Sequence, residues 1–222
     1  MTKSQDTARP NSDFTLYGIV PYDRSAKVRW LLEELGVGFN MVWLDREKKE
    51  FDQPDYLKLN PMGRVPLLRR GQETIFESAA ICSYLADVFS ERGLAPKVGT
   101  SDRGRYEQWM YFAANTLDTF QTRMMIIEDI PTGEVQTAKL KDLQVDFHDA
   151  LSALNVVLSE NSFLVANKFS VADICVSYHL YWCTLWPELT GALPSFQSVT
   201  SYMARMKAYP SAERAEVFSY PG

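Results

Sequence analysis

The chain is poor in the residues that build metal sites and covalent frameworks: 222 residues hold three cysteines and two histidines. Cys82, Cys175 and Cys183 are too few, and odd in number, for the disulfide scaffold of a secreted protein; they fit a reducing compartment such as the cytoplasm. None has zinc-ligand spacing to another cysteine or histidine, so no metal is expected. No apolar run approaches the ~20 residues that cross a membrane. Residues 1–13 read as a polar tail without the apolar core of a signal peptide. Basic residues number 23 against 28 acidic ones and are not gathered into a stripe, which argues against a nucleic-acid partner.

What is present is an ordinary apolar content of 46%, enough for a packed core in one or two domains. Residues 14–18 read as a short strand. Val28, Leu31, Leu32 and Leu35 recur at helical spacing before Gly36. Residues 39–44 read as a second strand, followed by a charged loop and a brief helical piece near 54–59. Residues 65–69 and 74–76 form a hairpin around Arg70, Gly71 and Gln72, and Ile81, Leu85, Val88 and Phe89 mark another helix. The order β-α-β-α-β-β-α implies an α/β layer with a mixed sheet over residues 14–92. A Pro- and Gly-containing linker, 93–101, ends the strand signals. From 102 to 222 the pattern is helical. Tyr106, Trp109, Met110, Ala113, Leu117, Phe120 and Met124 line one long helix, and Leu140, Leu143, Phe147, Leu151, Leu154 and Leu158 line a second. Ser170 to Asp173 form a capping box with Phe169 and Ile174 placed as a staple, and residues 195–208 give a further helix.

Residues 59–81 carry the densest chemistry. Pro66 interrupts a short apolar strand, where it removes a ladder donor and belongs at an edge or turn. A Val65-Pro66 bond is open to the cis form, which would turn the Val65 N–H and C=O outward for strand addition by an extended ligand. Glu77 and Ser78 sit where a strand ends and a helix starts, a place of free N–H groups that suits a carboxylate. Together they suggest a small acidic peptide.

Val-Pro and Glu-Ser at this spacing, followed by Phe-Ser-Val-Ala-Asp-Ile in an all-helical half, resemble the cytosolic glutathione transferase superfamily, as a bacterial-type member of no assigned class. The likeness spans roughly residues 14–210. It implies a thioredoxin-like α/β N-terminal domain with a mixed four-stranded sheet, an all-α C-terminal bundle, glutathione as co-substrate, a homodimer, and a cytoplasmic detoxification role. It further implies that the Val65 backbone, ahead of cis-Pro66, pairs with the cysteinyl moiety, and that Glu77 and Ser78 hold the γ-glutamyl group. Lys48, Lys49 and Gln53 are the candidates for the glycyl carboxylate. Trp109, Phe112, Asn115 and Phe120 are the candidate walls for a hydrophobic electrophile, although Trp109 also belongs to the apolar stripe. The catalytic position of the family lies after the first strand and ahead of the first helix. Six residues before Val28 stands Tyr22, in a loop that departs from the family's usual Ser-Pro pattern. Tyr22 is preferred as hydrogen-bond donor to the sulfur, with Arg24 and Ser25 as alternatives; Ser25 is as readily a helix cap. Residues 18–28 contain no cysteine, so the mixed-disulfide route of some family branches is not available here. The expected activity is conjugation of glutathione to an electrophile or reduction of a peroxide. The rivals are a non-catalytic binding module on the same fold and a glutathione-dependent disulfide reductase.

Overall fold

A computed structural model describes residues 13–221; apart from Asp13, the expected polar tail lies outside the described residues. The chain forms two compact units, one from Met1–Arg92 with Pro210–Gly222 and one from Gly93–Tyr209.

In the first unit, β1 (Phe14–Gly18) alternates buried and half-buried residues and turns Phe14 and Leu16 to the core. Helix α1 (Ser25–Leu35) buries Val28, Leu31, Leu32 and Leu35. It ends in a Schellman turn: Gly36, at φ 68°, donates to the Glu33 carbonyl and Val37 to the Leu32 carbonyl. Strand β2 (Asn40–Trp43) runs parallel to β1. After the short α2 (Pro54–Leu57), β3 (Leu67–Arg70) pairs antiparallel with β1, and β4 (Glu73–Phe76) pairs antiparallel with β3. The mixed sheet has the order β2-β1-β3-β4. Strand β3 starts two residues later than its apolar run suggests, because Pro66 has no N–H to give the ladder. Helix α3 (Ser78–Val88) lies against β3, β4 and α1, with Ile81, Cys82, Leu85 and Ala86 buried. Cys82 is therefore a core residue.

The second unit is helical: α4 (Ser101–Tyr111), α5 (Asp118–Glu128), α6 (Glu134–Glu160), α7 (Val171–Cys183), the short α8 (Pro187–Thr190) and α9 (Gln197–Lys207). The single long helix expected across 106–124 is divided. Phe112–Leu117 winds as a π-helical turn between α4 and α5, with the Asp118 N–H donating to the Ala113 carbonyl five residues back. Its apolar stripe still faces inward, as Tyr106, Trp109, Met110, Ala113, Leu117, Phe120 and Met124 are all buried. Helix α7 is buried along almost its whole length and starts from the Ser170/Asp173 capping box.

The last segment departs from the sequence reading, which gives 102–222 to the helical domain. Pro210–Gly222 belongs to the first unit, where α10 (Pro210–Arg214) packs on α1. The reason is visible in its side chains. Ala212, Ala215 and Val217 are buried there, and the Trp30 indole N–H of α1 donates to Ser211 Oγ at 2.9 Å.

Candidate functional site

Register alone gathers the candidate residues of the first unit. Gly18 pairs with Trp43, Tyr17 with Leu67, and Leu67 with Phe76. The C-terminal ends of β1, β2 and β4 and the N-terminal end of β3 therefore meet at one end of the sheet. The loops bearing Tyr22, Arg24, Ser25, Lys48, Lys49, Gln53, Val65 and Pro66 leave from that end, and α3 begins there with Glu77 and Ser78. Open α/β sheets place ligands outside strand C-termini.

On the β3 side, the Val65-Pro66 bond is cis. Among the described residues, the Val65 N–H and C=O take no protein hydrogen bond. Leu67, which follows Pro66, pairs with Phe76, so Val65 and Ser78 each stand two residues beyond the same end of the β3–β4 ladder. The turn before Val65 is fixed by two side chains that converge on one carbonyl: Tyr56 donates its hydroxyl to Arg64 O at 2.6 Å, and Asn60 its amide at 2.7 Å. The Asn60 carboxamide oxygen also accepts the Met62 N–H at 3.1 Å. Burial pushes the Tyr56 hydroxyl up to about 12, so it stays a donor throughout the physiological range. Gly63 has φ 59°, and a Cβ there would stand 3.1 Å from the Phe51 carbonyl, so the turn admits glycine alone without strain.

At the start of α3, Glu77 is the residue before the helix, with φ 71° and an exposed side chain. A non-glycine residue in this region is uncommon and often marks a site where the backbone is held for a purpose. Ser78 is the first helical residue and is 8% exposed. Its hydroxyl has no protein partner among the described residues. The first N–H groups of the helix point the same way as its positive dipole end.

The loop after β1 is organised by a residue that the sequence reading did not single out. The Asp23 carboxylate accepts three backbone N–H groups, from Ile19 at 2.6 Å, Val20 at 3.0 Å and Ser25 at 2.7 Å. Arg29 of α1 donates to the Pro21 carbonyl, and its guanidinium lies 5.5 Å from the Trp43 ring centroid. Asp23, not the Ser25 side chain, thus meets the first N–H groups of α1, that of Ser25 with its carboxylate and that of Ala26 with its backbone carbonyl at 2.8 Å. Ser25 lies inside the helix, fully buried, and its Oγ has no partner among the described residues. A Cβ on Gly18 would come within 2.7 Å of that Oγ. Tyr22 and Arg24 are half-buried, and the Tyr22 ring meets the Tyr220 ring edge-on at 5.0 Å. Tyr17 points elsewhere, packing its ring 5.7 Å from Tyr56.

In the loop after β2, Asp45 caps its own turn. It accepts the Glu47 and Lys48 N–H groups and pairs with the Lys48 ammonium at 3.0 Å. The backbone N–H and ammonium of Lys48 hold its carboxyl below the usual range. Lys49 is exposed in the left-handed region, at φ 50°, and the exposed Gln53 reaches the Lys48 carbonyl at 3.4 Å.

Comparison with known proteins decides the family. The glutathione S-transferase N-terminal domain model matches residues 12–87, and the C-terminal domain model matches residues 118–213. Glutathione S-transferase F10 of Arabidopsis thaliana is 30% identical over 148 residues, 64% of this chain and 68% of that protein. The chain belongs to the cytosolic glutathione S-transferase superfamily. A solved relative, glutathione transferase URE2P6 from Phanerochaete chrysosporium in complex with oxidized glutathione, superposes with a TM-score of 0.82 at 27% identity, covering 92% of this chain and 95% of that one. Elongation factor 1-gamma of Prunus avium is 37% identical over 136 residues, which is 58% of this chain but 30% of that protein.

In the helical unit, the four expected wall residues divide. Trp109 and Phe120 are 5% and 3% exposed, with their rings edge-on against Phe112 at 5.1 Å and Phe147 at 5.3 Å. Their surfaces are spent largely on packing. Phe112 is half-buried and Asn115 exposed, and both lie on the π turn. His148 is exposed beside Phe196, whereas His179 is fully buried with its Nδ1 2.8 Å from Gln121 Nε2. The residues missed in sequence were Asp23 and Tyr56. Asp23 carries a faint signal, because an aspartate two residues before a helix start commonly accepts the i+2 N–H.

Proposed function

We propose that the protein binds glutathione at this end of its sheet, holds the thiol as thiolate, and uses it on a hydrophobic electrophile or a peroxide. The observation that carries the reading is the juxtaposition of two unsatisfied sets. The Val65 N–H and C=O lie unpaired two residues before β3, and the Ser78 hydroxyl and helix-start N–H lie unpaired two residues after β4, all at one end of the sheet. An extended peptide with a terminal carboxylate satisfies both sets. Val65 would pair with the cysteinyl backbone, with Pro66 closing the ladder beyond it. Ser78 would donate to the γ-glutamyl carboxylate, and the exposed Glu77 would accept from its ammonium. Lys49 and Gln53 remain the proposed holders of the glycyl carboxylate, since Lys48 is engaged by Asp45. A homodimer and a cytoplasmic setting come with this reading as proposals.

Thiol activation asks for little energy. A free thiol with pKa ~8.5 is only a few per cent ionised at pH 7. Lowering it by two units takes ~2.7 kcal/mol, within reach of one or two hydrogen bonds to charged sulfur. Tyr22 is our choice of donor and Arg24 the alternative. Ser25 is the weakest, because its Oγ is sealed. The thiolate then attacks the electrophilic carbon, the S–C bond forms, and the leaving group departs with its electron pair. Phe112 and Asn115 are the proposed contacts for that electrophile, with the more deeply buried Trp109 and Phe120 as the lesser candidates.

The partial likeness to elongation factor 1-gamma supports a second reading, a binding module without turnover. Incubation with glutathione and either a generic aryl halide or an organic hydroperoxide separates the two. Thioether formation, or alcohol formation with glutathione disulfide, is expected. Glutathione binding without turnover of either substrate would leave the binding module as the account.

A further inference from the structure

The segment that follows the helical unit returns to α1 and runs along it in the opposite direction. Ser211 Oγ accepts the Trp30 indole N–H and donates to Glu34, and Arg214 pairs with Glu33 at 3.1 Å, both near the C-terminal half of α1. Glu216, at φ 50°, then turns the chain, and the Val217 N–H donates to the Ala212 carbonyl at 3.1 Å. Val217 is fully buried, Phe218 meets the Trp30 ring edge-on at 5.6 Å, and Tyr220 meets Tyr22 edge-on at 5.0 Å. Anchors near residues 33 and 34, then 30, then 22 trace a strap that ends on the loop after β1. Such a run of specific contacts is not the behaviour of a loose terminus.

We infer that this C-terminal strap is part of the thiol site, with Tyr220 acting as a positioning residue that holds the Tyr22 ring. The inference rests on Tyr22 being the sulfur's hydrogen-bond donor. Asp23 fixes the backbone on one side of Tyr22 and Arg29 fixes the carbonyl of Pro21 on the other, but neither restrains the phenol ring. An edge-to-face partner does so, by giving one ring orientation a better quadrupole contact than the others. Tyr220 is 39% exposed, so it can be replaced without opening the core.

The test is the thiolate absorbance of bound glutathione, followed against pH in the full-length protein. Tyr220→Ala is expected to lower the ionisation constant of the bound thiol about three- to tenfold, a rise of about half to one pKa unit and the range of an aromatic pair, while glutathione affinity at acidic pH, where the thiol is protonated in both proteins, stays unchanged. Tyr220→Phe, which keeps the ring, is expected to restore the wild-type curve. In a Tyr22→Phe background, Tyr220→Ala should add nothing. If Tyr22→Phe itself leaves the curve in place, the donor assignment falls and the inference with it. If Tyr22→Phe shifts the curve and Tyr220→Ala does not, the inference alone is overturned. It is equally overturned if Tyr220→Phe shifts the curve as far as Tyr220→Ala, because the hydroxyl and not the ring would then be acting.

Discussion

Two aspartates do similar work in the two units and to different ends. In the first unit, Asp23 is half-buried and gathers the N–H groups of Ile19, Val20 and Ser25, all within four residues of itself. In the second, Asp173 is fully buried. It accepts the Ser170 N–H at 2.9 Å and hydroxyl at 3.0 Å, the Leu164 N–H at 3.0 Å, and the Tyr202 hydroxyl at 3.2 Å. Asp23 therefore shapes one turn, and that turn carries Tyr22. Asp173 ties together the segment before α7, the start of α7 and the middle of α9. A local knot can be loosened without unfolding its unit, whereas one that joins three segments cannot. The difference assigns Asp23 to the proposed site and Asp173 to the fold.

The strongest way to break this contrast is to remove each carboxylate. Asp173→Ala strands several buried donors and should destabilise the helical unit by about 3–5 kcal/mol. Asp23→Ala should cost about 1–2 kcal/mol and depress turnover more than stability. Denaturant unfolding reads both, with Trp109, Trp182 and Trp186 reporting the helical unit and Trp30 and Trp43 the first. Equal losses would erase the distinction. The second prediction concerns pH. Burial pushes the Asp173 carboxyl from 3.8 up to about 6, against four hydrogen bonds that pull it down. Between those values the folded state binds a proton that the unfolded state has released. Stability from this group therefore falls as pH rises from about 4 to about 6, by about 3 kcal/mol, and is flat above. Asp173→Asn should lack that slope; an unchanged slope would show that other groups produce it. Third, Tyr22→Phe should raise the pKa of bound thiol by about one to two units, and Asp23→Asn should move it in the same direction by less. The smallest effect belongs to Tyr56→Phe. It removes one of two donors to the Arg64 carbonyl and should weaken glutathione binding by about 1 kcal/mol, with Asn60 still holding the turn.

The same contrast explains what could be read from the chain beforehand. The Asp173 box is legible because its two members stand three residues apart in a recurrent pattern. The mixed sheet was legible from alternating strand and helix signals, and the cis Val65-Pro66 bond and the start of α3 at Ser78 from backbone requirements that proline and a helix start impose. Asp23 was faintly legible only in its i+2 contact with the Ser25 N–H, since the Ile19 and Val20 N–H groups converge on it from upstream with no recurrent spacing. The π turn at Phe112–Leu117 keeps its apolar residues facing inward, so periodicity alone could not distinguish it from continuous α-helix. The return of Pro210–Gly222 to α1 depends on contacts between residues about 180 positions apart, such as Trp30 with Ser211, which no local window contains. The roles of Tyr22 and Arg24 depend on where side chains point, which the sequence does not encode in any short motif.

The central claim is that glutathione is held by the unpaired groups of Val65 and Ser78, which flank the β3–β4 hairpin at one end of the sheet. Calorimetric titration of glutathione into the wild-type protein and into Ser78→Ala tests it most directly. Loss of a hydroxyl bonded to a carboxylate should weaken affinity by about tenfold or more, with the unfolding curve unchanged. Equal affinity in the two proteins, or no binding by the wild type, would contradict the account.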